Sequence, residues 1–85
     1  MTAVQTKNGQ KKSVQVFRFK DTTNAKYKQF AGDICVIGKT DDSRVSIRLL
    51  ANYETITTSE FVTSINLGGE LKVYTRNSVY TFEVL

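Results

Sequence analysis

The residues best suited to binding chemistry in this chain are cations that alternate along two predicted strands. Lys72, Tyr74 and Arg76 share one face of a strand near the C-terminus, because strand side chains point alternately to opposite sides. Arg44 and Arg48 share the polar face of an earlier strand. If the two strands are adjacent, four cations surround one tyrosine and can neutralise phosphates while the ring stacks on a base. This pattern predicts a nucleic-acid-binding face, and the alternative interpretation is an ordinary solvated surface.

Basic residues are also concentrated at the start of the sequence. Seven of the twelve lysines and arginines lie in residues 1–28, where Asp21 is the one acid, so this segment has a formal charge of +6. Residues 29–85 carry five bases and seven acids, a formal −2, which completes the +4 of the chain. Lys11 and Lys12 belong to residues 1–12, which we expect to form a flexible basic arm, with a short first strand as the alternative. Such an arm adds sequence-independent affinity for a polyanion.

Missing residue types exclude several classes of function. The chain has no histidine and one cysteine, so Ser-His-Asp and Cys-His catalytic sites and structural zinc sites cannot form. Cys35 lies in an apolar run and is predicted to be a buried, unreactive thiol. No spacing of carboxylates predicts a divalent-cation site or an acid–base pair. We therefore expect no metal, no cofactor, no small-molecule substrate and no catalytic activity.

Length and composition predict one small domain. The 85 residues are 40% hydrophobic, which is enough for a compact core and too much for intrinsic disorder. No apolar run approaches the roughly 18 residues that predict a membrane span. Residues 1–12 contain no apolar stretch typical of a signal peptide, and a single cysteine cannot form an internal disulfide. We expect a cytoplasmic protein.

Alternation and turn signals predict five or six short strands in residues 13–85. The clearest alternation runs from Arg44 to Leu50, and Gly68-Gly69 is a hairpin signal because both turn positions favour φ > 0. Residues 21–32 combine helix-capping residues with apolar residues at helical spacing, so one or two helical turns are expected there, with a loop as the alternative. The expected fold is all-β, a small barrel or curled antiparallel sheet of SH3-like or OB-like type.

The predicted core takes the larger apolar set of each strand. Between Val16 and Phe17 the apolar residues change phase, which predicts a β-bulge or a strand that is apolar on both faces. The burial of Phe17 and Phe19 is therefore left open. The expected core residues are Val14, Val16, Ile34, Cys35, Val36, Val45, Ile47, Leu49, Phe61, Ile65, Leu71, Val73 and Phe82.

The C-terminal third of the chain resembles the end of small uncharacterised proteins from phages and plasmids of Gram-positive bacteria. In those proteins a threonine- and serine-rich strand leads through a hairpin into a T-x-N-S-x-Y turn. Here the turn is formed by Thr75, Asn77, Ser78 and Tyr80. The resemblance implies an origin on a mobile element and no particular activity.

Two functions remain open from the sequence. The first is a non-catalytic module that binds nucleic acid with low sequence specificity through the basic, tyrosine-bearing face. The second is a protein-interaction or assembly protein, such as an inhibitor, an accessory or a virion component. It would belong to a phage or plasmid and act through an exposed strand edge or an apolar patch, on a protein partner or by self-association. The reason is that a small sheet must close, pair or leave an edge, and the last strand is apolar.

Overall fold

The structure is a computed structural model that describes residues 15–85. The predicted arm, with Lys11 and Lys12, lies outside the described residues, as does Val14 of the predicted core. The described residues form six strands and one 3-10 helix. In chain order these are β1 (Phe17–Thr22), the 3-10 helix (Ala25–Phe30), β2 (Ile34–Lys39), β3 (Arg44–Leu49), β4 (Thr55–Leu67), β5 (Glu70–Thr75) and β6 (Val79–Val84).

The six strands form one antiparallel sheet that closes into a barrel. Each strand pairs with the next one along the chain, and β1 pairs with β6 to complete the ring. At this closure Phe17 lies opposite Val84, and Phe19 lies opposite Phe82. The prediction of a small all-β barrel of five to six strands is confirmed. Within residues 15–85 no helix is long and apolar enough to cross a membrane.

Local chemistry accounts for the tight connections. Gly68 and Gly69 have φ of 62° and 80°, a conformation that glycine adopts without a Cβ penalty, and they join β4 to β5. In the 3-10 helix, the Asn24 side chain accepts a hydrogen bond from the backbone N–H of Lys26. This helix is the turn expected in residues 21–32, and it turns Phe30 into the core.

The core is smaller than the predicted set. Six of the predicted residues are buried: Cys35, Val45, Ile47, Leu49, Val73 and Phe82. Phe19, Phe30, Ile56 and Tyr80 complete the core and were not predicted. Val16, Ile34, Val36, Phe61 and Leu71 are half-buried. Since Cys35 points inward on β2, its neighbours Ile34 and Val36 must point to the other face.

Two strand irregularities explain the remaining differences. The bulge in β1 lies between Phe19 and Asp21, beyond the predicted phase change at Val16, so Phe19 points inward. A second register shift in β4 lies between Phe61 and Thr63. Val62 is the additional residue of β4 at this shift, and after it the side chains that the sequence predicts to point inward point outward. The prediction of Ile65 as a core residue is therefore wrong, and its side chain is 49% exposed.

Strand β4 has 13 residues, about twice the length of its neighbours, and its two halves have different partners. Its first half pairs with β3, from Thr55 opposite Arg48 to Glu60 opposite Arg44. Its second half pairs with β5, from Phe61 opposite Thr75 to Leu67 opposite Glu70. Each half therefore has one side without a strand partner among residues 15–85. The second half extends past Arg44, the first residue of β3, and projects from the barrel as an extension of the β4–β5 hairpin.

Candidate functional site

The residues of the predicted nucleic-acid face lie on two strands that are not neighbours. Lys72 and Tyr74 alternate with the buried residues of β5, and Arg48 alternates with those of β3, so all three lie on the outside of the barrel. Strand β4 lies between β3 and β5. The condition for four cations around one tyrosine, that the two strands are adjacent, is therefore not met. The reason is that β4 is one long strand that hydrogen-bonds to β3 and then to β5.

Two of the predicted phosphate-binding arginines meet at one carboxylate. Glu60 of β4 has Oε2 3.4 Å from Nη2 of Arg44 and Oε1 3.8 Å from Nη1 of Arg76. Arg44 also places Nε 3.0 Å from Oδ2 of Asp42. The pKa of Asp42 is lowered chiefly by a hydrogen bond from the Thr40 hydroxyl, with a contribution from Arg44. The two arginines are thus brought together, but with two carboxylates that balance their charge.

Lys72 has an acidic neighbour as well. Its Nζ lies 3.8 Å from Glu70 and donates a hydrogen bond of 3.2 Å to the hydroxyl of Thr81. Glu70 also accepts from Lys20 at 3.1 Å, and this hydrogen bond is the main reason that the pKa of Glu70 is lowered. The outer surface of β5 and its neighbours therefore alternates positive and negative groups beside Tyr74.

The charge of the described residues is close to balance. Residues 15–85 contain nine bases and eight acids, a formal +1, and the other three positive charges of the chain lie in residues 1–14. Among the described residues, six of the nine bases are within 4.0 Å of a carboxylate oxygen. The other three are Lys26, Lys39 and Arg48. Of the predicted cations on the barrel, Arg48 alone has no acidic partner within the described part of the chain.

The second half of β4 is the most exposed apolar part of the barrel. Residues 62–67, which we call the edge segment, pair with β5 on one side and have no strand partner on the other within residues 15–85. Every residue from 62 to 69 is exposed. Val62, Ile65 and Leu67 expose 63%, 49% and 77% of their surface. No charged residue occurs between Phe61 and Gly69.

The edge segment is not the edge that the sequence suggested. The apolar last strand, β6, lies between β5 and β1 and is paired on both sides. Sequence reasoning missed the edge segment because the alternation of side chains does not show where one neighbouring strand ends and the next begins. The length of β4 was the signal for an unpaired edge. Strands β3 and β5 have six residues each and cannot pair with both sides of a 13-residue strand along its whole length.

An open cleft of about 360 Å³ lies on the inner side of the second half of β4. Its lining is mostly apolar and comes from the ends of β2 to β5, including Ile37, Phe61 and Leu71. The Lys39 ammonium lies at this cleft, 4.3 Å from the centre of the Phe61 ring, a cation–π contact. The cleft can accept an apolar side chain, and Lys39 is the one charged residue of its lining.

The acidic residues and Cys35 are the groups of the described residues that could hold a metal ion or act as a nucleophile. Within residues 15–85 no three His, Cys, Asp or Glu side chains are grouped so that they could hold a metal ion. Cys35 is fully buried, and desolvation, with a smaller effect of Asp33, raises the pKa of its thiol to about 11. A thiol in this setting is a poor nucleophile, because the thiolate is the reactive form.

The chain matches no protein-family model, and neither a curated protein nor a solved structure matches it at a significant level.

Proposed function

We propose that this chain is a non-catalytic protein-interaction module that pairs its edge segment with an extended strand of another polypeptide. One observation supports this proposal most directly. Beyond the register shift at Val62, residues 63–67 pair regularly with β5 and leave their other side unpaired by the described residues, and the edge segment exposes Val62, Ile65 and Leu67. An extended peptide can add to such a side through main-chain hydrogen bonds, while its side chains contact the exposed apolar groups.

The composition of the edge segment favours this function over a solvated surface. Sheet edges that must not pair are usually protected by lysine, by proline, by inward-pointing charge or by a β-bulge. The edge segment contains no charge and no proline, and its register shift ends at Thr63, so no bulge interrupts residues 63–67. An unprotected edge of this kind pairs with other strands unless a partner covers it, so retaining it makes physical sense when pairing is the activity.

Selection of peptides from a random library on the immobilised protein tests this function. We expect the selected peptides to bind the wild type and to lose affinity at least tenfold for Ile65→Lys. Thr57→Lys is the matched control, because Thr57 is exposed on the half of β4 that pairs with β3. Binding to the Thr57→Lys protein should be unchanged.

A second measurement separates strand pairing from simple apolar contact. Methylating the backbone nitrogens of a selected peptide one at a time should abolish binding at alternate positions only, because alternate amides of a paired strand face the partner. An equal effect at all positions, or selected peptides that bind Ile65→Lys as well as the wild type, would contradict the proposal.

Nucleic-acid binding is a second candidate, favoured by a different observation. Residues 1–14 carry three of the four net positive charges, and Arg48 is exposed without an acidic partner in residues 15–85. These groups would contact phosphates with little sequence specificity. Titration with a mixed-sequence single strand at about 50 mM salt, where phosphate contacts are strongest, is the test. Affinity that falls steeply with salt would support this candidate, and no binding at low salt would exclude it.

A further inference from the structure

The edge segment is suited to pair with the same segment of a second copy of this chain. We propose that two copies associate by antiparallel pairing of their edge segments, about a two-fold axis that passes next to Ile65. This inference rests on the proposed function, because it names the polypeptide that supplies the added strand.

Charge permits this pairing. Like charges directly opposite each other destabilise a strand pair, and a two-fold axis always brings like residues together or near one another. The run from Phe61 to Gly69 has no charged residue, so two copies meet without repulsion along its length. The other strands on the outer surface lack this property, since β3, β5 and β6 each carry charged side chains.

The register follows from the faces of the strand. Directly opposite residues of an antiparallel pair lie on the same face of the sheet. Thr63, Ile65 and Leu67 lie opposite Tyr74, Lys72 and Glu70 of β5, and they share the outer face with them. A two-fold axis at Ile65 then places the two isoleucines opposite each other and Thr63 opposite Leu67. In this register each Leu67 is a diagonal neighbour of the opposite isoleucine, so exposed apolar groups cover one another.

The size of the segment suits such an interface. Six residues of strand span about 20 Å, the length of an average strand in a globular protein. All six are exposed, so none of their side chains must leave the core to meet a partner. Joining two such segments would merge the two barrels into one continuous sheet across the two-fold axis.

A cysteine crosslink tests the register directly. Opposite residues of an antiparallel pair have Cβ atoms about 4.5–5.5 Å apart, close to the separation that a disulfide requires. Cys35 is buried and is the one native cysteine, so an introduced cysteine would be the reactive thiol. Mild oxidation of Ile65→Cys should give a covalent dimer. Thr57→Cys, the matched control on the charged half of β4 that pairs with β3, should remain monomeric.

Sedimentation of the full chain tests the association without a crosslink. Over about a hundredfold range of protein concentration, the wild type should shift from monomer to dimer by mass action. Ile65→Lys places two like charges opposite each other and should raise the dimer dissociation constant at least tenfold, whereas Thr57→Lys should leave it unchanged. Leu67→Lys gives an independent second variant, and far-UV circular dichroism verifies that each variant is folded.

The outcomes separate this inference from the proposed function. A wild type that stays monomeric at every concentration would overturn the second copy as partner, whether residues 1–14 or a different protein covers the edge. Equal crosslinking of Ile65→Cys and Thr57→Cys would overturn it as well. If such a monomer still bound selected peptides through Ile65, the interaction function would stand. If dimers form through Ile65 and no peptide binds, the result supports self-association and contradicts recognition of a different protein.

Discussion

Glu60 on β4 lies directly opposite Arg44 on β3, and Oε2 of the glutamate is 3.4 Å from Nη2 of the arginine. The same carboxylate reaches Arg76, which follows β5. One acid on the central strand therefore occupies the position where two predicted phosphate-binding cations converge. The basic residues Arg44 and Arg76, which the sequence places on an outer face, therefore lie on a nearly neutral surface.

Replacing this carboxylate should create the basic surface that the wild type lacks. Glu60→Gln frees Arg76 and leaves Arg44 paired with Asp42 alone, so we expect tighter binding to heparin and a steeper dependence of affinity on salt, by about one phosphate contact. The stability should change by only about 0–1 kcal/mol, because the ion pairs are exposed to solvent. Salt-dependent titration and urea unfolding measure the two effects.

Glu54→Gln is the control for this prediction. It makes the same change in net charge, but the Glu54 carboxylate accepts a hydrogen bond from Asn52 and pairs with no cation in the described part of the chain. If both variants gain the same affinity, net charge alone is responsible and the local pairing of Glu60 has no special effect.

The buried hydroxyl of Thr58 should be important for stability. At the register shift between β3 and β4, the N–H of Val45 donates to Thr58 Oγ1 at 3.1 Å, and the Thr58 hydroxyl donates to the carbonyl of Ser59 at 2.7 Å. Thr58→Val leaves the buried N–H without an acceptor and should cost about 1–3 kcal/mol. Thr58→Ser keeps the hydroxyl and should lose only about 0.8 kcal/mol for one methyl group. Urea unfolding of both variants is the measurement, and a Thr58→Val protein as stable as the wild type would refute the argument.

The buried thiol should make the fold sensitive to alkaline pH. The pKa of Cys35 is raised by desolvation from 9.0 to about 11, so the folded protein keeps a proton that the unfolded chain releases above about pH 9. Stability is therefore retained below pH 9 and falls as the pH rises toward 11. Burial also raises the pKa of Tyr80, which acts in the same direction.

Urea unfolding at pH 8 and pH 10 measures this loss, and Cys35→Ala is the comparison. The variant should lose less stability between the two pH values than the wild type does. In native protein at pH 8 the thiol should also react slowly with a disulfide reagent and quickly after unfolding. An equal loss of stability in both proteins would show that the thiol is not the group responsible.

The β4–β5 turn should tolerate only certain side chains. Gly68 and Gly69 both have positive φ, and a Cβ at either position would meet no atom within 4 Å, so backbone strain alone sets the cost. Gly68→Val should destabilise the protein by about 1–2 kcal/mol. Gly68→Asn should be close to neutral, because asparagine followed by glycine suits this turn. Thermal unfolding distinguishes the two variants, and equal losses would argue against strain as the cause.

The elements of the fold could be predicted because each is specified locally. Alternation between Arg44 and Leu50 identifies β3, two glycines identify a hairpin, and Asn24 marks the start of the 3-10 helix. Burial was predicted less well at the two bulges, where one extra residue reverses the side of every residue that follows. For this reason the prediction of Ile65 as a core residue is wrong, whereas Phe19 precedes its bulge and is left open by the apolar phase change at Val16.

The candidate site was harder to predict than the fold, because it depends on which strands become neighbours. Sequence alternation places Arg44 and Lys72 on outer faces but does not reveal that β4 lies between their strands. It also gives no information on Glu60, whose charge matters only once Arg44 and Arg76 are brought to it. The edge segment arises from the offset between strands, a property of the assembled sheet.

The pairing of Phe17 with Val84 has a consequence for the order of folding. The other strand pairings join elements that follow one another in the chain, so each can form after a short loop closes. The β1–β6 pairing instead requires closure of a loop that includes nearly the whole described chain, and the entropy cost of closure grows with loop length. We therefore expect the β1–β6 pairing to form last. Backbone amides that hydrogen-bond between β1 and β6 should gain protection from hydrogen exchange more slowly during refolding than those between β3 and β4.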